Sequence, residues 1–254
     1  EYAAANLANI NRLAGQFRIS QDYARRVYES GDDRGIPQVK LWGSTGLIKN
    51  LCIFGAFDEM EDWLGRARAL LADKLNEQNA ASSNSIAVAL FGAILDLTRG
   101  EDAAALDKLS QTQSLYAALA SPQVYMVDPL SYILDAIEAL RRRDVPADRL
   151  EPLLAFMVKK TRAIAKTYPT AAPRLALAQG DLARLNGKAQ AARRHYTQAE
   201  QSAGALVMPF DQAMARARLS AEPGLSDQER QDHRDAMQAH LTALGLSEPA
   251  LWSL

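Results

Sequence analysis

The residues whose types allow chemistry are three histidines, one cysteine, one acidic cluster and three basic ones. His233 and His240 lie seven residues apart, which sets them on one side of a helix two turns from each other, and His195 stands alone. A helical zinc site wants ligands three or four apart plus further donors, and Cys52 has no second cysteine to join it, so no metal is expected. Asp58, Glu59, Glu61 and Asp62 offer acid–base groups, but acids in the first turn of a helix complement its dipole without doing any chemistry. Arg141-Arg142-Arg143, Arg193-Arg194, and Arg216 with Arg218 would have to converge in one stripe to hold a nucleic acid; interspersed acids and a net charge of -1 make them surface residues instead. Gly43 to Gly46 and Gly180 to Gly187 lack the preceding strand and the Lys-Ser/Thr ending of a phosphate loop. No nucleophile–base pair emerges, so the expectation is a chain that is not an enzyme and carries no cofactor.

The elements that position these residues follow from composition. Ala and Leu dominate while β-branched residues are sparse, and 48% apolar with 23% charged residues lies in the globular range. An all-α protein is expected. No apolar run approaches the roughly 20 residues that cross a bilayer, so no membrane association is expected. One cysteine excludes an intramolecular disulfide and suits a cytoplasmic setting, with Cys52 read as a small buried apolar residue. The sequence opens Glu1-Tyr2-Ala3, already inside a helical pattern, and reads as a piece of a longer chain.

Glycine punctuates the sequence with a period. Gly15, Gly55, Gly100 and Gly187 each close one helical run and precede another, with separations of 40, 45 and 87 residues. The last gap is about twice the others, and Arg141 to Pro146 supplies the missing turn, with Pro146 and Asp148 starting the next helix. Around each turn apolar residues recur at three and four: Leu7, Ile10 and Leu13, then Tyr23, Val27 and Tyr28; Trp42, Leu47, Leu51 and Phe54, then Phe57, Met60, Leu64, Ala67 and Leu71; Leu130, Ile133, Leu134 and Ile137, then Leu150, Leu153, Met157 and Ile164. Each set predicts one buried stripe per helix, and Ala24, Ala67, Ala192 and Ala199 allow close helix approach. The fold expected is a right-handed α-solenoid of about six stacked antiparallel hairpins at approximately 1-31, 37-78, 84-120, 123-168, 171-204 and 208-245, continuous over 1-254. Were it to divide, the cut would fall near residue 122.

The stretch Ala176-Leu177-Ala178-Gln179-Gly180-Asp181, then Asn186-Gly187-Lys188-Ala189-Gln190-Ala191-Ala192, then Tyr196-Thr197-Gln198-Ala199-Glu200 resembles a tetratricopeptide repeat, and the first two units resemble it more loosely. The run from Ala205 through Arg218-Leu219 to Gly245 is similar to the last repeats of large bacterial signalling proteins, in which a regulatory ATPase is joined to such an array and often to a cyclase, kinase or DNA-binding domain. The periods of 40 and 45 exceed the 34 residues usual for this repeat, so helices or connecting loops are longer.

The resemblance implies that the first helix of each hairpin lines a concave face, which would present Asn6, Asn9, Trp42, Thr45, Lys49, Leu90, Ile94, Glu138, Arg174, Asp181 and Arg184. Taken singly, each polar member has an ordinary role as a solvated or capping side chain, while Trp42 beside Gly43-Ser44-Thr45-Gly46 either packs or is offered to a partner. The clamp by which some repeats grip a C-terminal carboxylate is not reproduced: Asn9 matches one position, but Ala5, Gly46, Ala87 and Phe91 fill the others. The expected function is a non-catalytic interaction and regulatory module that binds a protein or peptide, or another domain of the same full-length chain, within a bacterial signalling or transcription-regulatory protein. The alternative is a domain that senses a small-molecule effector, with Trp42, Phe91, Tyr125 and Phe156 furnishing an apolar pocket; an all-helical enzyme is the third reading. Oligomeric state is left open.

Overall fold

The computed structural model describes residues 1–72, 82–119, 127 and 129–247, and twelve α-helices with no strand lie among them. The chain divides into two compact units, Glu1–Ser121 and Pro122–Leu254. The protein is all-α. No helix among the described residues is long and apolar enough to cross a membrane.

In the first unit, α1 (Tyr2–Leu13) and α2 (Phe17–Asp33) pack together, as do α3 (Pro37–Phe54) with α4 (Phe57–Ala72) and α5 (Ser83–Thr98) with α6 (Asp102–Ala118). α2 also packs along α3, and α5 touches both α3 and α4. Each two- or three-residue turn hinges on a glycine that ends its helix in the left-handed region: φ is 77° at Gly15, 70° at Gly55 and 78° at Gly100. A side chain at that φ clashes with the following carbonyl, so glycine stops the helix and lets the chain reverse. α3 and α5 are buried nearly all round, which makes them the core of this unit, and Cys52 is buried within it.

The second unit pairs α7 (Pro129–Arg142) with α8 (Ala147–Ala165), α9 (Ala172–Leu185) with α10 (Ala189–Ala205), and α11 (Pro209–Ser220) with α12 (Asp227–Ala243). Gly187 closes α9 at φ 71°. The turn after α7 has no glycine, and Asp144 takes the left-handed conformation there at φ 58°, a position short polar side chains tolerate. Between α10 and α11 the same conformation falls on Val207, at φ 54°. Pro152 sits in the first turns of α8, and Ser226 opens α12 with a reciprocal capping box to Glu229.

The apolar stripes fall where the spacing predicts, with one exception. Leu130, Ile133, Leu134, Ile137, Leu150, Leu153, Met157 and Ile164 are all buried, as are Leu47, Leu51, Met60, Leu64 and Ala67. In α1 the stripe is turned the other way: Leu7 is 40% and Ile10 60% exposed, and the helix instead buries Ala8 and Arg12 against its neighbour. The buried positions of α1 are thus one small residue and one long cation, and its bulky apolar Leu7 and Ile10 stay outside.

Candidate functional site

The first helices of the hairpins carry the candidate residues, and the two units treat them differently. In the first unit, Tyr2, Asn6 and Asn9 recur at four and three on α1, and Trp42, Thr45 and Lys49 at three and four on α3. The helices touch, and the rings of Tyr2 and Trp42 meet edge to face with centroids 6.2 Å apart. Tyr2 is largely exposed and Trp42 half-buried, so this aromatic pair is open to a partner. Asn6 and Asn9 are half-buried, and Asn9 accepts a 2.8 Å hydrogen bond from Arg12 Nη2. Thr45 is buried; its hydroxyl lies 3.0 Å from the Leu41 carbonyl oxygen and 3.3 Å from Asn84 Oδ1, which ties α3 to the start of α5. Lys49 is buried, and Leu90 and Ile94 are fully enclosed. These three belong to the core, because α3 and α5 are buried nearly all round.

In the second unit Glu138, Asp181 and Arg184 come together with Arg141, Arg142 and Arg218 of the basic clusters and with Asp135, Tyr196 and Glu222, which were not candidates, while Arg174 pairs apart from them. The carboxylate of Glu138, buried on α7, accepts from Arg141 at 2.8 and 2.9 Å, from Arg142 Nε at 3.0 Å and from Arg184 Nη2 at 2.5 Å. Arg184 reaches on to Glu222 at 3.5 Å. One turn deeper, Asp181 Oδ1 accepts from the Tyr196 hydroxyl at 2.8 Å and from Arg218 Nε at 3.2 Å. The Nη2 of Arg218 bonds Asp135 Oδ1 at 3.1 Å, and Arg218 itself is 1% exposed. A separate buried pair joins Arg174 Nε to Asp211 Oδ1 at 2.8 Å, with Arg174 Nη1 donating to the Val127 carbonyl at 2.6 Å.

Charges removed from water must be paired, and here opposite charges meet within α7 and across the α7, α9 and α11 hairpins. Burial pushes the Glu138 carboxyl up, but the hydrogen bond from Arg141 and the charges of Arg218 and Arg184 outweigh that and hold it below the usual carboxylate range. Asp181 goes the other way: burial, reinforced by the charge of Glu138, raises it against the pull of Arg218. Burial likewise raises Glu222 despite Arg184, and lifts the Tyr196 hydroxyl well above its ordinary value. Carboxylates of opposed tendency beside a tyrosine are an arrangement that active sites also use. Here the groups bond one another in a clasp across α7, α9 and α11, with Asp181 Oδ2, Arg218 Nη1 and Glu222 Oε2 left buried without a hydrogen bond among the described residues.

Two expectations are corrected by this arrangement. Arg218, read from its type and its neighbour Arg216 as a surface cation, is the centre of the clasp. Glu138, Arg174 and Asp181 are neither solvated nor capping residues; they are buried ion-pair partners. Arg216 does stay near the surface, where it pairs with Glu200 and shares a 2.9 Å hydrogen bond with His233 Nδ1.

The remaining candidates take ordinary places. Asp58 and Glu59 sit in the first turn of α4, Glu59 facing Arg25 at 3.9 Å, while Glu61 pairs with Arg99. The turn Gly55-Ala56-Phe57-Asp58-Glu59 borders an open notch of about 410 Å³. Among the described residues no three His, Cys, Asp or Glu side chains group as a metal site. Phe91 is enclosed in α5, Phe156 is half-buried under Lys160, and Tyr125 lies outside the described residues.

No protein-family model matches the chain, and no curated protein matches it in sequence.

Proposed function

We propose that the chain is a non-catalytic protein-interaction and regulatory module of tetratricopeptide-like design, working in the cytoplasm as part of a bacterial signalling or transcription-regulatory protein. Its ligand is a protein or peptide segment held along the first helices of the N-terminal hairpins. The observation that carries this reading is the open aromatic pair of Tyr2 and Trp42, at matching positions of two consecutive first helices and flanked by the amides of Asn6 and Asn9. Aromatic rings with one open face beside polar donors and acceptors suit a peptide, whose side chains need apolar contact and whose backbone needs hydrogen bonds. Glycine-hinged hairpins in contact with their neighbours provide the rigid frame for such a strip.

A selection of peptides from a random library against the immobilised chain tests the proposal. Peptides that bind the chain and lose binding to a Tyr2→Ser, Trp42→Ser double variant support it; no enrichment, or enrichment indifferent to that variant, overturns it. Native mass spectrometry of the purified chain serves the other reading, since a reproducible small-molecule mass would favour effector sensing.

A further inference from the structure

The stripe by which α12 meets α11 mixes apolar with ionisable residues. Arg230, His233, Met237 and Leu241 recur at three and four along the helix. Met237 and Leu241 are buried, and Arg230 Nη1 donates at 2.8 Å to the carbonyl of Ser220, the last residue of α11. His233, half-buried, makes a second polar tie, its Nδ1 lying 2.9 Å from Nη1 of Arg216 on α11. Nη2 of the same guanidinium pairs with Glu200 of α10, so Arg216 joins three helices.

The donor roles in this contact are fixed by chemistry. A guanidinium carries N–H donors and no acceptor, so Arg216 must donate. Nδ1 of His233 must then accept, which it can do only in the neutral ring that carries its proton on Nε2. A protonated imidazole donates from both nitrogens and would turn an N–H and a positive charge toward Arg216. Glu200 anchors Arg216 from the other side, so the repulsion falls on α12.

The surroundings of the ring set when this happens. Burial disfavours a proton on His233 most, and the charge of Arg216 on α11 adds to it, whereas Glu200 on α10 and Glu229 and Asp232 on α12 favour one. Glu200 is committed to Arg216, and Glu229 to the cap at Ser226. The balance holds the ring below the ordinary histidine value of 6.5. The contribution of His233 to stability is therefore complete above pH 6.5 and is lost as pH falls through the folded value.

We propose that His233 is an acid-sensitive latch: neutral, it ties α12 to Arg216 and so to α11 and α10; protonated, it releases α12 and uncovers the side of α11 on which α12 packs.

Two measurements on the full chain test this. Long-range proton–nitrogen NMR spectra should show the neutral His233 ring with its proton on Nε2. Hydrogen exchange, corrected for its intrinsic pH dependence, should show the amides of Asp227–Ala243 less protected at about pH 5 than at about pH 8. The loss should be about tenfold, the worth of one hydrogen bond from a charged donor. His233→Asn keeps an acceptor near the place of Nδ1 and does not titrate, so its α12 should hold its protection across that range. In Arg216→Gln the charged groups left around His233 are acidic, and acid should no longer lower the protection. His195 and His240 are present in all three proteins, so a loss that they cause would persist in both variants. A neutral ring protonated on Nδ1, an α12 indifferent to acid in the native protein, or a loss that either variant retains overturns the proposal.

Discussion

Arg218 Nε donates to Asp181 Oδ1 at 3.2 Å from α11 to α9, and neither side chain reaches solvent. The same guanidinium holds Asp135 of α7 through Nη2 at 3.1 Å, so one cation spans three first helices. Removing it takes the cation away from buried Asp181 and one partner from buried Asp135, which is far costlier than losing an ion pair as a whole. Arg218→Met is expected to lower the unfolding free energy of the second unit by about 3 kcal/mol or more. Urea denaturation of the two proteins measures the difference, and a loss below about 1 kcal/mol would mean that the clasp is held by packing alone.

Glu138 gives the clasp a pH dependence of definite sign. Its folded pKa lies below the 4.5 of an unperturbed Glu, so its stabilising effect is complete above pH 4.5 and is lost as pH falls through the folded value. Asp181 and Glu222, raised by burial, act in the opposite sense, and the slope of the native protein alone is therefore a mixture. The difference between the native protein and Glu138→Gln reports Glu138 together with the part of the Asp181 shift that its charge causes. That gap, about 3 kcal/mol at neutral pH, should narrow as pH falls below 4.5; a gap independent of pH would contradict the pairing with Arg141, Arg142 and Arg184.

Gly180 lies against the Tyr196 ring, and a Cβ added there would collide with it. Because the Tyr196 hydroxyl is bonded to Asp181, the ring cannot retreat without breaking a contact of the clasp. Gly180→Ala should cost about 2 kcal/mol through overpacking, despite alanine's higher helix propensity. Adding Tyr196→Leu removes both the ring and the clash. The double variant should then be less sensitive to the alanine, and thermal unfolding of the four proteins of that cycle checks the coupling.

Val207 is 76% exposed with φ 54°, a conformation that costs an L-residue about 1–2 kcal/mol and a branched one at least that. Val207→Gly is expected to raise stability by about 1 kcal/mol, while Val207→Ala, which keeps the Cβ, gains less. Equal melting temperatures for all three would show the strain to be absent.

Local rules made the helices legible. Gly15, Gly55, Gly100 and Gly187 each mark a real turn because a left-handed residue is a local requirement, and the spacing of apolar residues is a property of one helix. Neither rule carries information across hairpins. Asp181 and Arg218 are 37 residues apart and Asp135 and Arg218 are 83 apart, so by residue type Asp181 and Arg218 read as solvated and Asp135 drew no notice. A usable signal was present in the repeats. Offsets of 46 from α7 to α9 and of 37 or 38 from α9 to α11 bring Asp135, Asp181 and Arg218 into one row and Glu138, Arg184 and Glu222 into the next, and each row contains one arginine between or beside two acids. The stripe on α1 misled for a related reason: Leu7 and Ile10 have the spacing of a buried face, and a single helix does not say which neighbour buries it.

Hydrogen exchange of the chain with and without the tightest peptide from the library selection tests the proposed function most directly. The amides of Tyr2–Leu13 and Pro37–Phe54 should slow on binding, and the Tyr2→Ser, Trp42→Ser variant should show no change. Slowing confined to α7, α9 and α11, or slowing that the double variant retains, would contradict a partner site built on Tyr2 and Trp42.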